Sequence, residues 1–170
     1  MAINTIIDAM VELYEDHFTR SSGDLRILRV TPHVPEAVTE WPWLFFVVGD
    51  GDVELMTFAA DVAETPKRRQ ALAVFGSSGT TKRPKVQMVH RFKAQLLVKP
   101  RRDLSEDEAL VRPFVQPVIT LMAEHLEVAS GVEYCKPTGY RYGVFPVGKL
   151  EERAVEFVGL EIDFEAREVV

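Results

Sequence analysis

The chain has 170 residues, 46% of them hydrophobic, and a net charge of −6. That length suits one domain with a buried core, the apolar fraction excludes global disorder, and no apolar run nears the ~20 residues of a membrane-spanning helix. The single cysteine, Cys135, excludes an internal disulfide, and the opening Met-Ala-Ile-Asn-Thr carries no secretory leader, so synthesis in a reducing cytoplasm is expected.

Ile3, Ile6, Ile7, Met10, Leu13, Tyr14 and Phe18 recur at three- and four-residue steps, while Asp8, Glu12, Glu15 and Asp16 cover the other side. This spacing predicts an amphipathic helix, ended by Ser21-Ser22-Gly23. A short strand is expected near residues 25–30, followed by a loop bearing Pro32, Pro35 and Pro42. The apolar run from Trp43 to Val48 reads as a buried strand. Gly49-Asp50-Gly51-Asp52 then predicts a turn, with residues 53–58 returning as a hairpin arm. Residues 59–84 read as a basic loop insertion, with a short strand at 70–75, that orders on contact with a partner.

Residues 85–99 alternate between faces for fifteen positions. Val86, Met88, His90, Phe92, Ala94, Leu96 and Val98 share one face, and Lys85, Gln87, Val89, Arg91, Lys93, Gln95, Leu97 and Lys99 share the other. Such a strand reaches roughly 50 Å at ~3.3 Å per residue, against a radius of gyration of about 15 Å for a domain of this size. It is expected to overhang its own domain and to need a partner. Ser105 to Glu108 reads as a capping box opening a second helix, whose apolar face runs from Leu110 to Leu126. Pro113 and Pro117 predict a break or a kink near Arg112, the break being the preferred reading. Residues 132–135 and 140–147 read as two short strands separated by Lys136-Pro137-Thr138-Gly139. In the last run, Val158, Leu160, Ile162, Phe164 and Ala166 alternate with Gly159, Glu161, Asp163 and Glu165. The sum is an α+β domain: two helices packed on a largely antiparallel sheet. The Lys-rich face of 85–99 should pair across strands with the acidic face of 156–165.

Charge is divided along the chain. From Thr65 to Arg102 there are eleven Lys or Arg and no acidic residue, whereas the remainder carries nine basic and twenty-six acidic residues. Either solvated faces share a sign here, or a basic surface docks an acidic partner, protein or nucleic acid. Only Phe75 and Phe92 interleave the stretch, so the stacking platform of a dedicated single-strand binder is missing.

Candidate chemistry is sparse, and no catalytic residue, cofactor or metal site is expected. His17, His33, His90 and His125 have no metal-binding spacing, and His90 reads as a hydrogen-bonded core residue. Asp50 and Asp52 lack the further ligands of a calcium loop and read as turn residues. The stretch from Ser77 to Lys85 resembles the phosphate-binding loop of adenylate-forming enzymes. Lys82, however, stands where that motif wants a small residue, and a Gly/Ser/Thr loop is the better account.

The order of elements carries one resemblance. An amphipathic N-terminal helix leads through a short strand and a Pro-rich loop to the apolar strand at Trp43. A long alternating strand, a helix near 106–125 and a long C-terminal strand follow. This order resembles the tail terminator and tail-completion proteins of long-tailed bacteriophages over residues 1–58 and 85–166. The insertion at 59–84 and the two helix prolines depart from it. The resemblance implies a virion structural protein, assembled in the host cytoplasm, forming a homo-oligomeric ring, usually of six copies. Such a ring sits at the head-proximal end of the tail, caps the tail tube protein and joins it to a head-completion or neck protein. In it, Lys67, Arg68, Arg69, Lys82, Arg83 and Lys85 would face an acidic tube or neck surface, or the DNA passing through the lumen. Arg91, Lys93, Glu161 and Asp163 would lie at the subunit interface. The alternatives are another head–tail connector component, such as a head-closure or neck protein, a non-viral adaptor that binds a protein partner through the basic loop, and a small enzyme with an unrecognised site.

Overall fold

A computed structural model describes residues 3–20, 25–55, 86–101, 107–150 and 153–169. The described elements are α1 (Ile3–Tyr14) with a π-helical turn (Glu15–Thr19), β1 (Arg29–Thr31), β2 (Trp43–Leu55), β3 (Val86–Pro100), α2 (Asp107–Glu124), β4 (Val132–Leu150) and β5 (Arg153–Val169). The strands form one five-stranded sheet in the order β1-β2-β3-β5-β4. The β1–β2 pair is parallel and the rest are antiparallel, so the expected α+β class with a largely antiparallel sheet is observed.

The alternation in β3 decides which face is covered. Phe92, Ala94 and Leu96 lie opposite Phe164, Ile162 and Leu160 of β5 and opposite Val48, Phe46 and Leu44 of β2. Onto this face α1 brings Ile6, Ile7, Met10 and Tyr14, and α2 brings Val111, Phe114, Val118, Leu121 and Met122, closing one core. Aromatic rings run through it from Tyr14 to Phe46 (6.2 Å), Phe92 (6.3 Å) and Phe164 (5.4 Å). The Tyr14 hydroxyl donates to the Val118 carbonyl at 2.9 Å, tying α1 to α2 inside the core. Burial pushes that phenol far above its ordinary range. The other face bears no helix among the described residues. At one end it carries a second apolar cluster of Trp43, Phe45, Leu97, Phe145, Val147 and Phe157, flanked by Val38 from the Pro-bearing loop.

Several local expectations are corrected. The stretch from Gly49 to Asp52 is no hairpin turn, because β2 continues through it to Leu55. Val48 pairs with Phe92 and Gly51 with His90, so one extra residue is absorbed as a bulge. A Cβ at Gly49 would sit 2.7 Å from the Arg91 carbonyl oxygen, and glycine is what lets the strand stay paired. The two short strands at 132–135 and 140–147 are one nineteen-residue strand, β4. Its register shifts at Val132/Tyr134, Pro137/Gly139 and Pro146/Lys149 absorb the prolines. An edge strand tolerates them because its outward N–H groups owe the ladder nothing. The strand expected at 25–30 is confined to Arg29–Thr31.

The break expected near Arg112 is also absent, since α2 runs unbroken with Pro113 and Pro117 inside it. Each interior proline costs about 3 kcal/mol. Burying each of the five apolar side chains of α2 returns roughly 1.5–3 kcal/mol. Pro113 and Ala109, whose carbonyl loses its donor, are both exposed, so that carbonyl is open to water.

The long strand at 85–99 was expected to overhang. Instead β3 is central, with β2 on one side and β5 on the other along its described length. The whole sheet is long, and its free edges lie elsewhere. Residues 59–84, including the strand expected at 70–75 and the Ser77–Lys85 loop, lie outside the described residues.

Among the described glycines of the sheet, Gly159 leaves the least room for a side chain. A Cβ there would fall 2.2 Å from the Leu96 carbonyl oxygen and 3.2 Å from Phe145 Cδ2. Gly159→Ala is expected to destabilise the domain by about 2 kcal/mol or more, as overpacking does, read from the denaturant midpoint. A midpoint unchanged from wild type would show that β3 and β5 are free to separate there.

Candidate functional site

The helix-free face is the surface on which charged side chains converge. On β3, Arg91, Lys93 and Gln95 project from it, and on β5 Glu161, Asp163 and Glu165 stand opposite them in the order Glu165, Asp163, Glu161. On β4, Lys136 lies beside Glu165 and Arg141 beside Glu161. The four residues expected at a subunit interface, Arg91, Lys93, Glu161 and Asp163, are therefore gathered within one chain. Lys93 Nζ is 3.0 Å from Glu161 and 3.5 Å from Asp163, and Arg91 is 2.8 Å from Asp52 and 3.8 Å from Glu165. The cross-strand pairing expected between these faces is present, but inside the sheet of one chain. Lys67, Arg68, Arg69, Lys82, Arg83 and Lys85 lie outside the described residues.

Glu161 is the centre of the charged face. Its side chain is 3% exposed, although no described element covers it, because the partners themselves close over it. Arg141 Nε donates to Oε1 at 2.8 Å, Lys93 Nζ to Oε1 at 3.0 Å and Gln95 Nε2 to Oε2 at 2.5 Å. Burial alone would raise this carboxyl. The bonds from Arg141, Gln95 and Lys93 outweigh it and hold the group down to about 2. The same contacts raise the Lys93 ammonium, its bond to Glu161 first among them. Gln95 and Arg141 were not singled out in the sequence. Their signal was their register, since each stands directly across from Glu161 on either side.

This arrangement holds charge fixed rather than moving protons. A carboxylate that far below neutrality, with both oxygens bonded, is a poor acid or base near pH 7. Around it the remaining charges are also paired: Lys136 with Glu165 at 3.8 Å and Arg167 with Glu133 at 3.4 Å, while the Tyr134 hydroxyl donates to Glu165 at 3.0 Å. On the covered face His90 Nε2 lies 3.2 Å from Glu168 Oε2, a bonded position of the kind its place in the alternation suggested. Cys135 is buried against Met10, and burial pushes its thiol up to about 12, which leaves it unreactive. Among the described residues no group of three or more His, Cys, Asp or Glu is placed to hold a metal ion, and no helix is long and apolar enough to cross a membrane.

The sheet edges are the second feature. β1 covers only Trp43 to Phe45, so β2 from Phe46 to Leu55 has β3 on one side and no described strand on the other. β4 has β5 on one side and, along its outer edge, no described strand. Exposed apolar side chains sit at these edges on the helix-bearing face: Val48 on β2, and Tyr140 and Tyr142 on β4, whose rings meet edge to face at 5.8 Å. No family model matches the chain, and no curated protein matches it.

Glu161→Gln keeps the shape and removes the charge. At pH 7 it is expected to cost about 1.5–3 kcal/mol, the range for hydrogen bonds to a charged group. The folded group titrates below its unfolded value of 4.5, so its contribution is complete above that value and is lost as pH falls towards about 2. The stability difference between wild type and variant, from denaturant melts, should therefore shrink between pH 5 and pH 2. A difference that is absent at pH 7, or constant over that range, would contradict the assignment.

Proposed function

We propose that this chain is a virion structural protein, a tail terminator that forms a ring on the head-proximal end of a bacteriophage tail tube and joins it to the head-completion proteins. The observation that carries the proposal is the combination of element order and sheet length. A helix, a short strand and a Pro-bearing loop lead into four strands of 13 to 19 residues with a second helix between β3 and β4. That order is the basis of the resemblance to terminator proteins, whose known role is to assemble. Strands of this length far exceed the ordinary five or six residues. They present long edges that a closed ring would hide.

The charged face supports a structural rather than an enzymatic role, because its charges neutralise one another and its central carboxylate is locked. For the same reason that face is a weak candidate for contact with DNA. In the proposed ring, contact with an acidic tube or neck surface, or with passing DNA, falls to Lys67, Arg68, Arg69, Lys82, Arg83 and Lys85. Six copies is the number the resemblance implies.

Electron microscopy of the purified protein, alone and mixed with tail tubes, tests the proposal. Rings seated on one end of the tubes are expected, and replacing Lys67, Arg68 and Arg69 with Glu should reduce seating without altering the melting temperature. A chain that stays monomeric under both conditions would contradict it. Rings that bind head connectors but never tubes would assign the chain to the head-closure or neck class instead.

A further inference from the structure

We infer that the outer edge of β4 in one copy takes the stretch of β2 beyond β1, Phe46–Leu55, along whose outer side no described strand lies, from the next copy as an antiparallel strand, making one sheet continuous from subunit to subunit. The inference rests on the ring proposed above and names the surfaces that would build it.

Strand direction comes first. β2, β3, β5 and β4 alternate in sense, each antiparallel to its neighbour. β4 therefore runs parallel to β3 and antiparallel to β2, and a second copy set beside the first in the same orientation offers its β2 to β4 in the antiparallel sense. The helices of both copies then stay on one face. The contact is heterologous, since the two edges differ, and heterologous contacts generate rings when the rotation closes.

The rows of the sheet indicate what would meet. Phe46 lies opposite Ala94, Ala94 opposite Ile162 and Ile162 opposite Tyr140. The row beside it runs from Val30 of β1 through Leu44, Leu96 and Leu160 to Tyr142, so Tyr142 reaches β2 of the next copy only where the copies shear to bring it level with Phe46. Both rows are apolar and buried until they reach the edge, where Tyr140 is 52% and Tyr142 41% exposed. Val48, one row from Phe46 on the opposite edge, is 53% exposed on the same face. Without shear between copies, Tyr140 falls across from Phe46 of the next copy and diagonal to its Val48, about 7–8 Å away. An aromatic beside a β-branched residue is a favourable cross-strand neighbour.

Charge agrees with this pairing. On the helix-free face, the β4 edge presents Lys136 and Arg141, while the β2 edge presents Asp52 on that face and Asp50 in the adjoining bulge. Lys136 shares a row with Glu165 and Arg91, the row that ends at the β2 bulge carrying Asp50. Lys136, Arg141 and Asp52 already hold partners in their own chain, so charge acts here on the choice of edge: β4 beside β2 sets opposite signs next to each other, whereas either edge beside its own kind sets like signs together.

Cross-linking tests this directly, because the only native cysteine, Cys135, is buried. Val48→Cys combined with Tyr140→Cys, or with Tyr142→Cys, is treated with a short bis-maleimide under assembling conditions, with thermal melts to establish that the variants fold. At least one of the two double variants is expected to give a ladder of covalent oligomers. A mixture of the Val48→Cys and Tyr140→Cys single variants should give a dimer and nothing larger, and each single variant alone should give none. Dimers from Tyr140→Cys alone would reveal β4–β4 pairing and overturn the inference. Rings visible by microscopy without a cross-linked ladder would overturn the edge pairing and leave the ring standing. A chain that is monomeric alone and with tail tubes would overturn both.

Discussion

The structure depends on the pairing of β3 with β5. Because both strands alternate without interruption over their middle thirds, one register puts Phe92, Ala94 and Leu96 against Phe164, Ile162 and Leu160 on the covered face. The same register puts Lys93 and Gln95 beside Glu161 on the open one. A slip of one residue would exchange the faces, burying lysine and arginine under the helices and exposing three aromatic or aliphatic rows. Each face therefore enforces the register that the other needs. Gly159 sharpens this, since the backbones come too close at Leu96 for any larger residue.

From that central pair the remainder of the fold is added outward. Both helices are committed to one face, tied together by the Tyr14 hydroxyl on Val118. The opposite face is divided between an apolar end around Phe145 and Phe157 and a charged middle around Glu161. Pairing of charges within the chain has a functional consequence: little net field remains on that face to attract a polyanion. The strand backbone with no described neighbour lies along the outer edge of β4 and along β2 beyond Phe45. The long strand that first pointed towards assembly is thus the interior of the sheet, and in the proposed ring the burden of assembly moves to β2 and β4.

The fold class, both helices and the partnership of residues 85–99 with the C-terminal strand were legible in the sequence because each rests on periodicity. Period 2 is unambiguous over fifteen positions, and the signs of Lys93 and Glu161 chose the partner. Punctuation misled. Gly49 and Gly51 looked like a turn, and Pro137 with Gly139 looked like a loop, yet both are bulges inside long strands. Local turn chemistry is identical in the two cases, and only the neighbouring strand decides between them. The prolines of α2 misled for a related reason, because tertiary burial of one helix face overrode a local penalty. The edges were invisible in the sequence. Exposure of Tyr140, Tyr142 and Val48 follows from strand order, which alternation alone does not specify.

The central claim is that this molecule assembles through the edges of its sheet. Amide hydrogen exchange by mass spectrometry, comparing the free chain with the chain assembled on tail tubes, addresses it most directly. Slowed exchange in Phe46–Leu55 and along β4, with β3 and β5 unchanged because their amides are already paired, is the result this account requires. Protection confined to the helices, with both edges exchanging as in the free chain, would contradict it.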